Sequence, residues 1–204
     1  MLKGKKSSKG IQEKVGELLS FFPLRPNHWT VLALFIGLMG AFAIALMQNL
    51  YFGLLLFVIG GAMDMVDGAV ARARNEATRF GGFLDGVSDR FMEALFLFAF
   101  MFYPLPEILV DSKIWLAGLV FMGTCMPSFI RAYAEHNKVV SHSNAKKMGG
   151  LFERSERLIL LAAGLFAGIT ISMDYFVGAV ILSVVLSSIT VLQRIAYVLQ
   201  QREE

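Results

Sequence analysis

The sequence predicts an all-α integral membrane protein, with six transmembrane helices preceded by an interfacial amphipathic helix and both termini in the cytoplasm. Three observations lead there. Hydrophobic residues are 56% of the 204 and charged residues 17%, where a soluble domain carries roughly 25% charged. Six apolar stretches, 29–48, 51–73, 83–103, 114–133, 158–172 and 175–199, are placed to cross a hydrocarbon core of about 30 Å. Lysine and arginine gather in alternate connections, as they do on the cytoplasmic side of a membrane.

The N-terminal tail is basic (Lys3, Lys5, Lys6, Lys9, Lys14) but lacks an adjoining short apolar stretch with a small-residue cleavage site. No removable signal peptide is therefore expected, and the whole chain should persist. Residues 11–22, IQEKVGELLSFF, set Ile11, Val15, Leu18, Leu19 and Phe22 opposite Glu13, Lys14 and Glu17 at helical spacing. Such a helix lies in the membrane interface or packs on the protein itself. The expectation is one membrane domain over 1–204, with 1–25 as its N-terminal interfacial segment. The fifth span is short unless its helix starts earlier, near Leu151, which would put Arg154 and Arg157 at its leading end.

The basic connections are the N-terminal tail, the turn with Arg72, Arg74 and Arg79, the loop with Lys138, Lys146, Lys147, Arg154 and Arg157, and the C-terminus with Arg194 and Arg202. The alternate ones, MQNL at 47–50, PLPEILVDSK at 104–113 and SMDYF at 172–176, are not basic. The single cysteine, Cys125, lies in an apolar run and is expected as a small core residue, with no disulfide available within one chain.

Asp64, Asp67, Asp85 and Asp89 interrupt apolar helices, at a cost of about 2.5–3.5 kcal/mol each at mid-bilayer. Their spacing, i, i+3 for the first pair and i, i+4 for the second, puts each pair on one helical face. If the intervening turn centres near Glu76, Asp64 lies opposite Asp89 and Asp67 opposite Asp85. Four converging carboxylates repel or protonate unless a cation neutralises them, and hard oxygen ligands select Mg²⁺, Mn²⁺ or Ca²⁺. Gly68, Gly81, Gly82 and Gly86 remove bulk around the acids. Arg72 and Arg74 stand where a guanidinium can hold a diphosphate. A lone intramembrane Asp–Arg pair is often structural or transport-related, but four acids in this register with interleaved Gly and Arg fit metal-assisted phosphoryl chemistry, with one carboxylate left to take a proton from an attacking hydroxyl.

Residues 64–89, DMVDGAVARARNEATRFGGFLDGVSD, match the signature D-x2-D-G-x2-A-R-x8-G-x3-D-x3-D at Asp64, Asp67, Gly68, Ala71, Arg72, Gly81, Asp85 and Asp89. In this the chain resembles the CDP-alcohol phosphotransferase family, and the six-helix layout extends the resemblance over nearly the whole length. The resemblance implies a divalent-metal enzyme, using Mg²⁺ or Mn²⁺ and two ions, in which an alcohol displaces CMP from a CDP-linked lipid. It implies that Asp64, Asp67, Asp85 and Asp89 ligate metal, that Asp89 is also the general base, and that Asp64, Gly68, Arg72, Thr78 and Gly81 hold the CDP group. A P-N-x2-T element, here Pro26, Asn27 and Thr30, adds Asn27 and Thr30 to the nucleotide contacts. Without the family, Pro26-Asn27 reads as a turn and Thr30 as an ordinary helix-start residue.

Arg131 in FIRAYAEH, Arg154 in LFERSERLILL and Arg194 near the end of the last span reach, by topology, the same face as the aspartates. Arginine forks match phosphate oxygens. Positive-inside anchoring accounts for Lys3 to Lys9, Lys146 and Lys147, but less easily for Arg131 and Arg194, which sit among apolar residues. The pattern is similar to the inositol phosphate branch of the family, the phosphatidylinositol-phosphate and archaetidylinositol-phosphate synthases, in which basic residues hold the acceptor's phosphate. The implied reaction joins inositol 1-phosphate to CDP-diacylglycerol or CDP-archaeol, with glycerol 3-phosphate as the alternative acceptor, in a cytoplasm-facing homodimer at the cell membrane that has no nucleic-acid partner. A small ion-coupled transporter is the rival of another class, and would need polar residues along a full-depth pore. The outer halves of the spans, such as 36–47 and 92–103, are nearly uncharged.

Overall fold

The computed structural model describes residues 26–74 and 76–201, the side chains of Pro26 and Asp67 excepted. The interfacial helix expected over 11–22 and the basic Arg202 lie outside the described residues. All regular structure among the described residues is helical, and it divides into two units, 1–102 and 103–204.

The first unit holds α1 (Pro26–Ala45), α2 (Leu50–Ala73) and α3 (Arg79–Phe100). Asn49 starts α2 by accepting the Phe52 N–H on its side chain at 3.1 Å. Gln48, at φ 53°, turns the chain before it and donates to the carbonyls of Ala45 at 2.7 Å and Phe102 at 3.0 Å. α1 packs against both α2 and α3, which meet each other at few points. The closest approach is between backbones: a Cβ on Gly53 would stand 2.8 Å from the Gly40 carbonyl oxygen and 2.3 Å from Ile44 Cγ1. Only glycine admits that approach. Met92 of α3 fills the space over Gly37 and Gly60, and Phe96 makes edge contacts with Phe57 at 5.2 Å and Phe100 at 5.0 Å.

The second unit runs through α4 (Ser112–Leu119), a π-helical stretch (Val120–Cys125), α5 (Met126–His136), α6 (His142–Lys147), α7 (Arg154–Thr170) and α8 (Met173–Gln201). Asp111 accepts the Lys113 N–H at 2.8 Å to start α4. α8 is its axis, packing on α4, the π stretch, α5 and α7. The π stretch ends where the Met126 N–H reaches back to the Phe121 carbonyl and Pro127 follows without an N–H to donate. Along α8, Ser183, Ser187, Thr190 and Arg194 are all buried on one face. Thr190 ties α8 to the chain before α7, accepting the Phe152 N–H at 2.9 Å.

Among the described residues, four helical stretches are long and apolar enough to cross a membrane: Asn27–Ala45, Leu50–Ala73, Ser112–His136 and Met173–Gln201. The other two expected spans miss that measure for separate reasons. α3 carries Asp85, Asp89, Arg90 and Glu93. α7 has 17 residues, about 26 Å at a helical rise of roughly 1.5 Å per residue. It starts at Arg154 rather than near Leu151, because Glu156 caps it by accepting the Glu153 N–H at 3.1 Å. Cys125, expected in the core, is exposed instead: the π stretch widens the helix there and turns Gly123 and Thr124 inward.

Gly53→Ala is expected to destabilise the protein by about 1–3 kcal/mol through overpacking, read as a lowered unfolding midpoint in detergent. Gly61→Ala in the same helix, where a Cβ meets nothing within 4 Å, should cause no loss.

Candidate active site

The turn between α2 and α3 sets the site in the first unit. Thr78 caps α3, its hydroxyl accepting the Gly81 N–H at 2.9 Å, and the Glu76 N–H closes α2 on the Ala71 carbonyl at 2.9 Å. This short connection fixes the register of the two acid-bearing helices. Ser88, fully buried, donates to Asp64 Oδ1 at 3.1 Å, so Asp64 faces α3 one position from Asp89. Asp89 is partly buried and lies 3.6 Å from Arg90 Nη1, which also donates to the Gly86 carbonyl at 3.2 Å. Asp85 is exposed. The Asp67 side chain lies outside the description, and among the described residues no group of three or more His, Cys, Asp or Glu stands close enough to hold a metal.

The donor set nevertheless suits a hard divalent cation, since Asp64, Asp85 and Asp89 offer oxygen only. There is room beside it as well: Cβ atoms on Gly82 and Gly86, on the helical face of Asp85 and Asp89, would meet nothing within 4 Å.

A cavity of about 240 Å³ opens at the same turn. Its lining brings together Asn27 and Thr30 from α1, Gly68 and Arg72 from α2, Thr78 from the turn, and Gly81 and Asp85 from α3. Two sequence elements some forty residues apart thus share one wall. Thr30 is 3% exposed. Where a Gly81 Cβ would stand, the Thr78 hydroxyl is 3.2 Å away and the Asn27 side-chain oxygen 3.8 Å. The Arg72 guanidinium folds over Gly68, its Nη1 3.2 Å from that residue's Cβ position. Ala71, Glu76, Ala77 and Gly82 complete the lining.

Sequence reasoning singled out neither Ser88 nor Glu93. Ser88 stands beside Asp89 and turns toward α2, so helical phase was its signal. Glu93 is i+4 from Asp89 and 5% exposed, a buried acid in a half-helix read as nearly uncharged.

The second unit gathers the arginines. Arg194 is 6% exposed. It donates from Nη1 to the Pro127 carbonyl and from Nη2 to Glu153 Oε1 at 3.5 Å. Arg131 donates from Nη2 to the Met148 carbonyl at 2.6 Å. The charges of Arg131, Glu153 and Arg157 all act on Arg194. The Nε groups of Arg131 and Arg194 are buried with no hydrogen-bond partner among the described residues. Arg154 is half-buried at the start of α7. Arg157, expected in the basic loop or at the leading end of the fifth span, is 4% exposed, its Cδ 3.2 Å from the Cβ position of Gly123.

Fold and site together define a helical membrane enzyme of the phosphotransferase class. Over residues 24–196 the chain matches the model of the CDP-alcohol phosphatidyltransferase family, and it belongs to that family. It is 31% identical to the archaetidylinositol phosphate synthase of Pyrococcus horikoshii over 90% of this chain and 88% of that protein. It is 30% identical to the phosphatidylinositol phosphate synthase of Corynebacterium glutamicum over 95% of this chain and 86% of that protein. Among solved structures it is similar to Mycobacterium tuberculosis phosphatidylinositol phosphate synthase with CDP-DAG bound, at a TM-score of 0.76 and 26% identity, covering 92% of this chain and 93% of that one. A second structure of that enzyme, in complex with manganese and citrate, also gives 0.76, at 25% identity and 92% and 88% coverage.

The cap geometry is itself testable. Thr78→Ala should cost about 1 kcal/mol of stability by removing the N-cap, and Thr78→Ser should keep most of it. Thermal unfolding of both variants decides, and equal losses would mean the methyl group matters rather than the cap.

Proposed function

We propose that this enzyme transfers a phosphatidyl or archaetidyl group from a CDP-linked lipid to inositol 1-phosphate and releases CMP. The observation that carries the reading is the cavity where Asn27, Thr30, Gly68, Arg72, Thr78 and Gly81 meet beside the acid-bearing helices. The acceptor reading is supported by the relatives, named archaetidylinositol phosphate synthase and phosphatidylinositol phosphate synthase, and by the arginines gathered in the second unit.

In this reading Asn27, Thr30, Gly68, Arg72, Thr78 and Gly81 hold the CDP group, with Arg72 supplying its positive charge to the diphosphate. Asp64, Asp67, Asp85 and Asp89 would hold two divalent ions, Mg²⁺ or Mn²⁺; a manganese complex of a related enzyme supports the metal class. When bound, such ions neutralise charge on the transferred phosphate and the leaving group. Ser88 fixes the Asp64 carboxylate through its hydrogen bond, as outer-shell partners of ligating carboxylates do. Asp89 takes the proton of the acceptor hydroxyl, whose oxygen forms the new bond to the lipid-linked phosphorus as the bond to CMP breaks. Arg131, Arg154 and Arg194 bind the acceptor's phosphate, for which the free Nε donors of Arg131 and Arg194 are suited.

The arrangement in the membrane belongs to the same proposal. The chain forms one domain of six spans, α3 and α7 included, with an interfacial segment over 1–25, both termini and the active site at the cytoplasmic face of the cell membrane, and a homodimeric assembly. The charges of α3 cross because the carboxylates are metal-bound, and α7 is short because its arginines mark the membrane surface.

Purified protein given labelled CDP-diacylglycerol or CDP-archaeol and inositol 1-phosphate should release CMP, and EDTA or Asp89→Asn should lower the rate by at least about a hundredfold, the range of a lost general base. Turnover that persists in EDTA would end the metal-assisted reading. Competition among inositol 1-phosphate, glycerol 3-phosphate, serine and free inositol identifies the acceptor. Arg154→Ala should raise KM for the acceptor by about tenfold or more, the scale of a charged hydrogen bond, while leaving CDP-lipid binding intact; an equal loss of both would make Arg154 structural.

A further inference from the structure

The arginine cluster contains one feature that phosphate binding does not explain. Glu153 places a carboxylate against Arg194, Oε1 to Nη2 at 3.5 Å, with its side chain 43% exposed and that of Arg194 7%. A carboxylate beside a phosphate site repels the incoming anion, so its presence weakens binding of a bare phosphate. Arg194 does not need it for support, because the Pro127 carbonyl already holds Nη1. The Glu153 side chain also accepts the Glu156 N–H in a capping box at the start of α7, but a neutral acceptor can fill that role.

We infer that Glu153 is a specificity-determining residue, which pairs with Arg194 in the absence of acceptor and accepts hydrogen bonds from the hydroxyls of a polyol phosphate once the phosphate has engaged the arginines. This rests on the acceptor reading above. The position suits the task. The backbone at residue 153 is pinned by the Glu156 carboxylate at 3.1 Å. Beside the carboxylate stands Gly149, whose Cβ position is 3.6 Å from Glu153 Oε1, so no side chain from that residue fills the space. The contact to Arg194 is at the long limit of a hydrogen bond and is readily exchanged. An ionised carboxylate only accepts, whereas ring carbons flanking a phosphate-bearing carbon present hydroxyl donors a few ångströms from the phosphate oxygens. A group that touches the same guanidinium as the phosphate lies within their reach.

The test uses the full-length enzyme with Glu153→Gln and Glu153→Ser, both of which keep a side-chain acceptor at the helix start. KM for inositol 1-phosphate is measured alongside the inhibition constant of methyl phosphate, which has no hydroxyl. Loss of a charge-assisted hydrogen bond should raise KM by about five- to tenfold, with methyl phosphate inhibition unchanged or tighter and kcat within about twofold. If KM and the inhibition constant move together, or neither moves, Glu153 acts only through charge or capping and the inference is wrong. Absence of inositol phosphate turnover in the unsubstituted enzyme would remove the acceptor assignment and this inference with it, whereas unchanged discrimination in the variants removes this inference alone.

Discussion

Carboxylates inside apolar helices have to be compensated, and the first unit is arranged around that requirement. An unpaired charge in hydrocarbon costs several kcal/mol, a cost that bears on Asp64 in α2, a helix long and apolar enough to cross a membrane. The short turn from Arg74 to Thr78 holds the two helices in register, and Ser88 meets Asp64 across them. α1 packs on both helices while they touch little directly, which leaves open space along the glycine-lined face of α3. The crossing of Gly40 and Gly53 brings α1 close enough for Asn27 and Thr30 to reach the turn. The residues that line the cavity and the acid-bearing helices thus share one set of helix placements.

The second unit meets the same problem with the opposite sign. Guanidinium groups out of water need acceptors, and these find backbone carbonyls at helix ends: Arg194 that of Pro127 in the first turn of α5, Arg131 that of Met148 just past α6. Pro127 closes a π-helical stretch, and irregular turns of this kind recur at functional positions. Backbone carbonyls carry only partial charge, so they hold an arginine in place without neutralising it. Glu153 sets one negative charge against Arg194, but Arg131 and Arg157 act on the same group, so the cluster keeps a net positive potential.

Much of this was legible in the residues. Composition alone indicated helices in a membrane, because 56% hydrophobic residues in long runs have no other stable arrangement. The spacing of the four aspartates with their glycines and arginine is a one-dimensional pattern along two helices joined by a short turn, so it survives in the sequence nearly intact. The family match spans residues 24–196, which include that pattern. Other features were less visible. Cys125 looked like a core residue because hydropathy does not distinguish a side chain facing protein from one facing lipid, and the π turn that rotates it outward depends on packing against α8.

The sequence by itself determined the helical class, the two acid-bearing helices and the family, since periodicity and signature spacing are local properties of the chain. Only the tertiary structure decided that Asn27 and Thr30 stand on the wall of the cavity at Gly81, that Ser88 orients Asp64, that Glu93 and Arg157 are buried, and that Glu153 faces Arg194. Each of these depends on the rotation and approach of helices distant in the chain, which side-chain packing sets and no local pattern records.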